Sequence, residues 1–169
     1  MPLLVVACSP ALNWRNVPVA EAALTISLPC KPDHAKRTVE LAGAPVELSM
    51  VGCDADGATL AVSHAALADP SQVGAALTHW RAAMLANLGP GAATTAVDTP
   101  YAPPGVLPVP QSVRTVAQGR RADGSAVTAQ AVWFARPVGA QVHIYHAVVY
   151  AAAPRPEVTE PFFGGLTLQ

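Results

Sequence analysis

Histidine is the residue type in this chain best suited to catalysis or metal binding, and two of the five histidines lie close together. His143 and His146 belong to a Val-, Ile- and Tyr-rich segment that is typical of a strand. Residues three apart on a strand point to opposite faces, so these two imidazoles cannot bind one ion. His64 could lie opposite His146 on a neighbouring strand, but no third ligand accompanies that pair. We therefore predict no metal site. If the protein is an enzyme, we expect its site near His64 and His146.

The segment Asp54-Ala55-Asp56-Gly57 is similar to part of a calcium-binding loop. With Gly57 at the sixth position of such a loop, Gly52 would be the first ligand and Ser63 the twelfth, and neither has a carboxylate. An Asp-Gly pair is also typical of a tight hairpin turn, and we interpret the segment in that way. The sequence has neither a Gly-x-Ser-x-Gly elbow nor a phosphate-binding glycine loop. We predict no catalytic residue and no cofactor.

Arginine and aromatic side chains give a weaker signal, for binding instead of catalysis. Arg114, Arg120 and Arg121 lie around a predicted hairpin, and Trp133 and Tyr145 lie on the strands predicted next to it. Arginine and aromatic residues often dominate the energetics of protein interfaces. We predict that these five residues form a binding surface. The alternative is that the arginines only supply charge to the surface of a charge-poor protein.

The first eight residues form an apolar run that ends in Val5-Val6-Ala7-Cys8, with Ser9 next. This pattern resembles the lipobox at which bacterial lipoproteins are cut and acylated. The run lacks the basic region of a secretion signal and is shorter than its apolar region, so either translation starts upstream of Met1 or the likeness is accidental. We predict that residues 1–20 form a tail with a truncated lipoprotein signal and that Cys8 is lipidated. A lipid there would hold the protein on a membrane surface without a spanning helix.

The three cysteines leave an even pair once Cys8 is set aside as the lipid site. Cys30 follows a predicted strand, and Cys53 lies at the end of the next predicted strand pair. Antiparallel neighbours can bring such positions within bridging distance. The alternatives are two buried thiols or a redox pair, but the C-x-x-C spacing of redox-active cysteines is absent. We predict a structural Cys30–Cys53 disulfide, the kind of bond that persists in an oxidising compartment.

Periodic patterns indicate which elements would position these residues. Alternating or Val- and Ile-rich runs predict strands at residues 24–28, 36–42, 46–50, 58–66, 112–120, 126–136 and 140–151. A helix begins at Asp69-Pro70 and has an apolar stripe of Val73, Leu77, Trp80, Met84 and Leu88. Residues 157–163 predict a short helix that carries Phe162 and Phe163 into the core, before a short strand at 166–168. The fold class is α+β: a mostly antiparallel sheet of about seven strands with one long and one short C-terminal helix packed on it.

Residues 89–111 are rich in proline and glycine and have no periodic pattern. A loop of this length within a compact domain is either functional or mobile. We expect Tyr101 and Val106 to anchor it to the core. Neither flanking half looks complete alone, so residues 21–169 form a single predicted domain.

Composition excludes some classes of partner. The chain has 169 residues, of which 51% are hydrophobic and only 12% charged, and its net charge is −1. Nucleic-acid binding requires a basic face, which this charge balance does not provide. No apolar run is long enough to span a bilayer. We expect no nucleic-acid partner, and membrane contact only through a lipid on Cys8.

The order of these elements resembles the PsbP-like superfamily, which includes the DcrB-like lipoproteins of bacteria. The likeness covers residues 24–168 and rests on Leu28-Pro29-Cys30-Lys31-Pro32, on two strand meanders joined through a long helix, and on Phe162-Phe163-x-x-Leu166-x-Leu168. The chain is also similar to small proteobacterial envelope proteins with a lipobox cysteine and a later Gly-Cys. The resemblance implies an α/β/α sandwich around an antiparallel sheet. It implies binding or assembly, and no shared catalysis.

These expectations lead to three functional hypotheses. The first is a non-enzymatic lipoprotein of the periplasm that acts as an interaction or assembly module for a protein partner. The second is a small-ligand carrier that uses residues 89–111 as a lid over the sheet. The third is an enzyme with a site near His64 and His146. An exposed aromatic and arginine patch, an apolar cavity, or converging polar groups in a pocket would favour the first, second or third hypothesis, respectively.

Overall fold

The computed structural model describes residues 11–169, in which ten strands form two antiparallel sheets. The strands are β1 (Arg15–Val19), β2 (Leu24–Leu28), β3 (Asp33–Leu41), β4 (Ala44–Ala55), β5 (Ala58–Leu67), β6 (Val97–Pro100), β7 (Val113–Arg120), β8 (Ala126–Val138), β9 (Gln141–Ala151) and β10 (Thr167–Leu168). The helices are α1 (Val73–Asn87), α2 (Ala92–Thr95) and α3 (Pro156–Gly164). Single 3₁₀ turns span Ala20–Ala22 and Pro70–Gln72.

The large sheet has seven strands in the order β3-β4-β5-β9-β8-β7-β6, and all of its neighbours are antiparallel. Two meanders, β3–β5 and β7–β9, join where β5 pairs with β9. Asp56 and Gly57 both have positive φ, at 50° and 75°, as the two central residues of a type I′ hairpin turn require. The mostly antiparallel α+β class and the turn at Asp56-Gly57 are thus confirmed.

Helix α1 covers one face of the large sheet. All five residues of its predicted apolar stripe are buried: Val73, Leu77, Trp80, Met84 and Leu88. The helix begins later than predicted, at Val73, because a 3₁₀ turn occupies Pro70–Gln72. Asp69 caps that turn, since its carboxylate accepts a hydrogen bond from the Ser71 backbone N–H at 2.9 Å.

The other face of the large sheet is covered by α3 and by a small sheet in the order β1-β2-β10. Strand β2 buries Leu24, Ile26 and Leu28 there, and α3 buries Phe162 and Phe163, as predicted. The sequence patterns do not show that the strands form two sheets, and they predict fewer strands than the ten that the structure has. The layers are therefore α1, the large sheet, and then the small sheet with α3.

Residues 89–111 are more regular than predicted, because they contain α2 and the edge strand β6, which pairs with β7. Tyr101 and Val106 do pack against the core, and the Tyr101 ring lies 5.6 Å from the ring of Phe134. The backbone N–H of Leu107 donates to the carbonyl oxygen of Ala135 at 2.8 Å. This segment is thus fastened along the large sheet.

The predicted tail also requires correction in its described part. Strand β1 pairs with β2 from Arg15↔Leu28 to Val19↔Leu24, so the folded unit begins before residue 21. Cys8, the predicted lipid site, lies outside the described residues. Among residues 11–169, no helix has the length and apolar character needed to cross a membrane.

Candidate ligand-binding site

The β3–β4 hairpin extends beyond the rest of the large sheet. Strands β3 and β4 pair as far as Leu41↔Ala44, whereas pairing between β4 and β5 stops at Ser49↔His64. Residues 37–48, which we call the hairpin arm, therefore have no ladder to β5. At the tip of the arm, the Ala42 backbone N–H donates to His79 Nδ1 of α1 at 3.0 Å. The tip of the arm thus contacts α1.

A cavity of about 200 Å³, which we call the arm cavity, lies between the hairpin arm, α1 and strands β5 and β9. Its apolar lining includes Leu41, Leu48, Met50, Trp80, Met84 and Val148. Ser63 and His146 contribute buried polar side chains to the lining, whereas Arg37, Glu40 and Asn87 are exposed and mark its opening. This mixture of apolar walls and a few polar groups is typical of a small-molecule site.

His146 is the most unusual residue of the arm cavity. Its imidazole stacks on the ring of Trp133 at 3.9 Å between centroids, and the ring of Trp80 approaches edge-on at 5.4 Å. Burial lowers the pKa of His146 to about 3, so the ring is neutral near pH 7. Its Nε2 atom is buried and has no hydrogen-bond partner. A buried polar atom without a partner is costly, and this atom is covered on all sides, so a molecule in the cavity does not reach it without movement of the side chains.

A second group of polar side chains lies on the opposite face of the large sheet. The imidazoles of His64 and His143 stack there with 6.3 Å between centroids and an interplanar angle of 4°. They border a cavity of about 190 Å³ that also contacts Glu21, Glu47 and Ser49. Burial lowers the pKa of both histidines, and the charge of His143 lowers that of His64 further.

The predicted pairing of His64 with His146 is wrong. The register places Ser63 opposite His146 and His64 opposite Tyr145. Directly opposed residues of antiparallel strands share a face, so the two histidines lie on opposite faces of the sheet. The enzyme site that the sequence suggested for this pair is therefore not formed. Among residues 11–169, no three His, Cys, Asp or Glu side chains are arranged to hold a metal ion.

The predicted surface of arginines and aromatic residues is also not formed. Trp133 and Tyr145 are fully buried, and they lie on opposite faces of the large sheet. Arg114 binds within the fold: its guanidinium donates to Glu160 at 2.7 Å and lies 5.0 Å above the ring of Phe163.

The two other arginines of that predicted surface, Arg120 and Arg121, are exposed. Arg120 donates to the carbonyl oxygen of Gly124 at 2.9 Å and borders an open cleft of about 560 Å³ at the end of α1. Residues 89–95 form one wall of that cleft. None of the residues that line the arm cavity comes from 89–111, so the structure gives no lid over that cavity from this segment.

The disulfide prediction is confirmed, since Cys30 and Cys53 are bonded with their Cα atoms 5.9 Å apart. The bond joins the end of β2 in the small sheet to β4 in the large sheet. It is consistent with an oxidising compartment.

No protein-family model, curated protein or solved structure matches this chain.

Proposed function

We propose that this protein is a non-enzymatic binding protein of the bacterial cell envelope that holds a small, mainly apolar molecule in the arm cavity. The observation that carries the proposal is a cavity of about 200 Å³ with mostly apolar walls and two buried polar residues, Ser63 and His146, in its lining. Of the three hypotheses above, the small-ligand carrier is the one that such a cavity favours. The covering element in this proposal is the hairpin arm.

The size of the arm cavity limits the ligand. An apolar cavity of roughly 150 Å³ can bind benzene, so about 200 Å³ has room for one ring with a small substituent. The hairpin arm can admit such a molecule, because its residues lack a ladder to β5 and its tip contacts α1 through the bond from Ala42 to His79. Small movements of the arm would open the cavity without breaking the large sheet.

Binding in the arm cavity can be tested by blocking its opening. Ala83 is an exposed residue of α1 that lines the cavity, whereas its exposed neighbour Ala82 does not. Toluene and phenol titrated into the wild-type protein should perturb the amide NMR resonances of α1, β5 and β9. Ala83→Trp should abolish this response, and the control Ala82→Trp should retain it. The proposal is wrong if neither probe binds the wild-type protein, or if Ala83→Trp binds them equally well.

The disulfide supports a location in the cell envelope. More specifically, we propose that the protein lies in the periplasm and carries a lipid on Cys8. The PsbP-like resemblance is part of the same proposal, because the members of that superfamily with known roles act as binding or assembly factors. Labelled palmitate fed to the native host should enter the wild-type protein and not Cys8→Ala. Free Cys30 and Cys53 thiols in protein isolated from that host would contradict the location.

A second candidate function is assembly with a protein partner, which the exposed edge of the large sheet favours. Strand β3 is nine residues long, lies at that edge and has mostly exposed side chains. An extended peptide can add to such an edge by backbone hydrogen bonds. A photocrosslinker at exposed Thr38 of β3 should then give a specific product in envelopes, whereas one at Ala82 should not. Equal products at both positions would exclude this edge as the interface.

A further inference from the structure

Arg37 is a positively charged, exposed side chain that the hairpin arm places at the opening of the arm cavity. We propose that the cavity takes small monocarboxylates with an apolar body, such as arylacetic or short-chain fatty acids. The apolar body lies inside the cavity, and the carboxylate binds the Arg37 guanidinium at the opening. This inference rests on the proposed function and names its ligand class.

Alternation along β3 directs Arg37 to the cavity side of the hairpin arm. Successive side chains of a strand point to opposite faces, so Arg37 shares its face with Leu41, which is buried in the core beside α1. Glu40 also borders the opening, but the same alternation directs its carboxylate to the other face. Glu47 of β4 lies opposite Thr38, on that other face as well. Within residues 37–48, the cavity side therefore has a cation and no carboxylate.

The Arg37 guanidinium is available to a ligand. Within residues 11–169 it has neither an ion-pair partner nor a hydrogen-bonded side chain, whereas Arg81, Arg114 and Arg155 each form an ion pair. A guanidinium presents paired N–H donors whose geometry matches the two oxygens of a carboxylate. A carboxylate at the opening would thus supply the partner that the fold itself does not supply to Arg37.

The interior of the arm cavity suits the apolar part of such a ligand and excludes its charge. Leu48, Met84, Val148 and the ring of Trp80 provide apolar walls. An anion among these walls would lose its hydration without a cation to balance it, whereas at the opening it stays partly hydrated beside Arg37. One guanidinium balances one negative charge, which favours a carboxylate over a phosphate monoester with nearly two.

The ligand class can be tested by calorimetry at pH 7 with three probes that have the same ring and linker: phenylacetate, phenethyl alcohol and phenethylamine. The wild-type protein should bind phenylacetate about fivefold more tightly than the alcohol, which is the gain from one exposed ion pair, and the amine most weakly. Arg37→Glu should invert the order of phenylacetate and phenethylamine. The matched control Arg121→Glu makes the same change of charge at an exposed residue outside the cavity lining and should keep the wild-type order.

The position of the carboxylate can be tested in the wild-type protein without a substitution. The side-chain NMR resonances of Arg37 should move when phenylacetate binds, and much less with phenethyl alcohol. Added sodium chloride should weaken the binding of phenylacetate more than that of the alcohol, because salt screens an exposed ion pair.

The outcomes separate this inference from the proposed function. The inference is overturned if the wild-type protein binds phenethyl alcohol as tightly as phenylacetate, or if Arg37→Glu keeps the wild-type order of the probes. In either case binding in the arm cavity itself would still stand. If none of the three probes binds the wild-type protein, the proposed function fails together with the inference.

Discussion

Three histidines of this protein are buried in the folded state, and each is held in its neutral form. Burial lowers the pKa of His64, His143 and His146, because a protonated ring would lose its hydration, and at His64 this effect outweighs the opposing attraction of Glu21. His146 shows the effect most strongly, since aromatic rings cover it. In the unfolded chain each ring would titrate near 6.5. Folding therefore disfavours protonation of all three imidazoles.

The free energy of unfolding should decrease as the pH falls from about 6 to about 4. The unfolded state then binds protons that folded His146 does not accept until the pH is about 3, so acid favours unfolding. This histidine alone contributes a slope of about 1 kcal/mol per pH unit. Urea denaturation at several pH values should show a shallower slope for His146→Phe than for the wild-type protein. Equal slopes would mean that His146 takes up a proton in the folded state.

Gly119 is required by a close approach between β7 and the end of α1. The Arg120 backbone N–H donates to the Leu88 carbonyl oxygen at 2.9 Å, and a Cβ atom on Gly119 would overlap with that oxygen. Gly119→Ala should lower the free energy of unfolding by about 2 kcal/mol, as overpacking does. In the control Gly164→Ala, the new methyl group meets open space, so little change is expected. Chemical denaturation of both variants checks this, and equal stabilities would contradict it.

At the scale of elements, Arg114 attaches α3 to β7 of the large sheet. Its side chain extends from β7 and donates hydrogen bonds to Gln130 at 2.8 Å and to Glu160 at 2.7 Å, and its guanidinium lies over the Phe163 ring. Arg114→Ala should lower the melting temperature and cost about 1 kcal/mol, since one ion-pair partner is largely exposed. Arg121→Ala is the matched control on the same hairpin. Arg114 does not fasten α3 if the two variants melt together.

Periodicity predicts the elements well but not how neighbouring strands align. Alternation along β9 correctly puts His146 on the face opposite to His143 and Tyr145. The alignment of β5 on β9 depends on packing across the sheet, and an offset of one residue separates His64 from His146. A binding surface would require Trp133 to be exposed, whereas β8 is covered on both faces.

The arm cavity was not predicted, for a related reason. The pattern indicates strands at 36–42 and 46–50, while β3 and β4 extend over Asp33–Leu41 and Ala44–Ala55. The residues of β4 beyond Met50 pair with β5, so they lengthen the hairpin at the end away from the arm. Strand β4 separates from β5 after Ser49↔His64, and the arm beyond that point contacts α1; no local pattern records either feature. The disulfide, by contrast, could be predicted from the sequence, because that prediction requires only two cysteines near the ends of neighbouring strands.

The whole molecule is a large sheet with a separate core on each face. One core lies under α1 and includes the walls of the arm cavity, and the other lies under the small sheet and α3. Polar contacts hold the small sheet in place: Tyr145 donates to the Ala22 carbonyl oxygen at 2.6 Å, and Arg136 donates to that of Ala23 at 3.1 Å. The Cys30–Cys53 bond adds a covalent link between the same two layers.

Loss of that bond should weaken the whole fold but spare the ligand site while the protein is folded. The bond spans 23 positions of sequence, and opening a loop of this size costs about 3 kcal/mol through the entropy of the unfolded chain. The double variant with Cys30→Ser and Cys53→Ser should lose this amount in urea denaturation, and dithiothreitol should destabilise only the wild-type protein. Cys53 belongs to the core on the small-sheet face, so toluene affinity in the arm cavity should persist. If the variant is as stable as the oxidised wild-type protein, the polar contacts of Tyr145 and Arg136 already hold the two layers together without the disulfide.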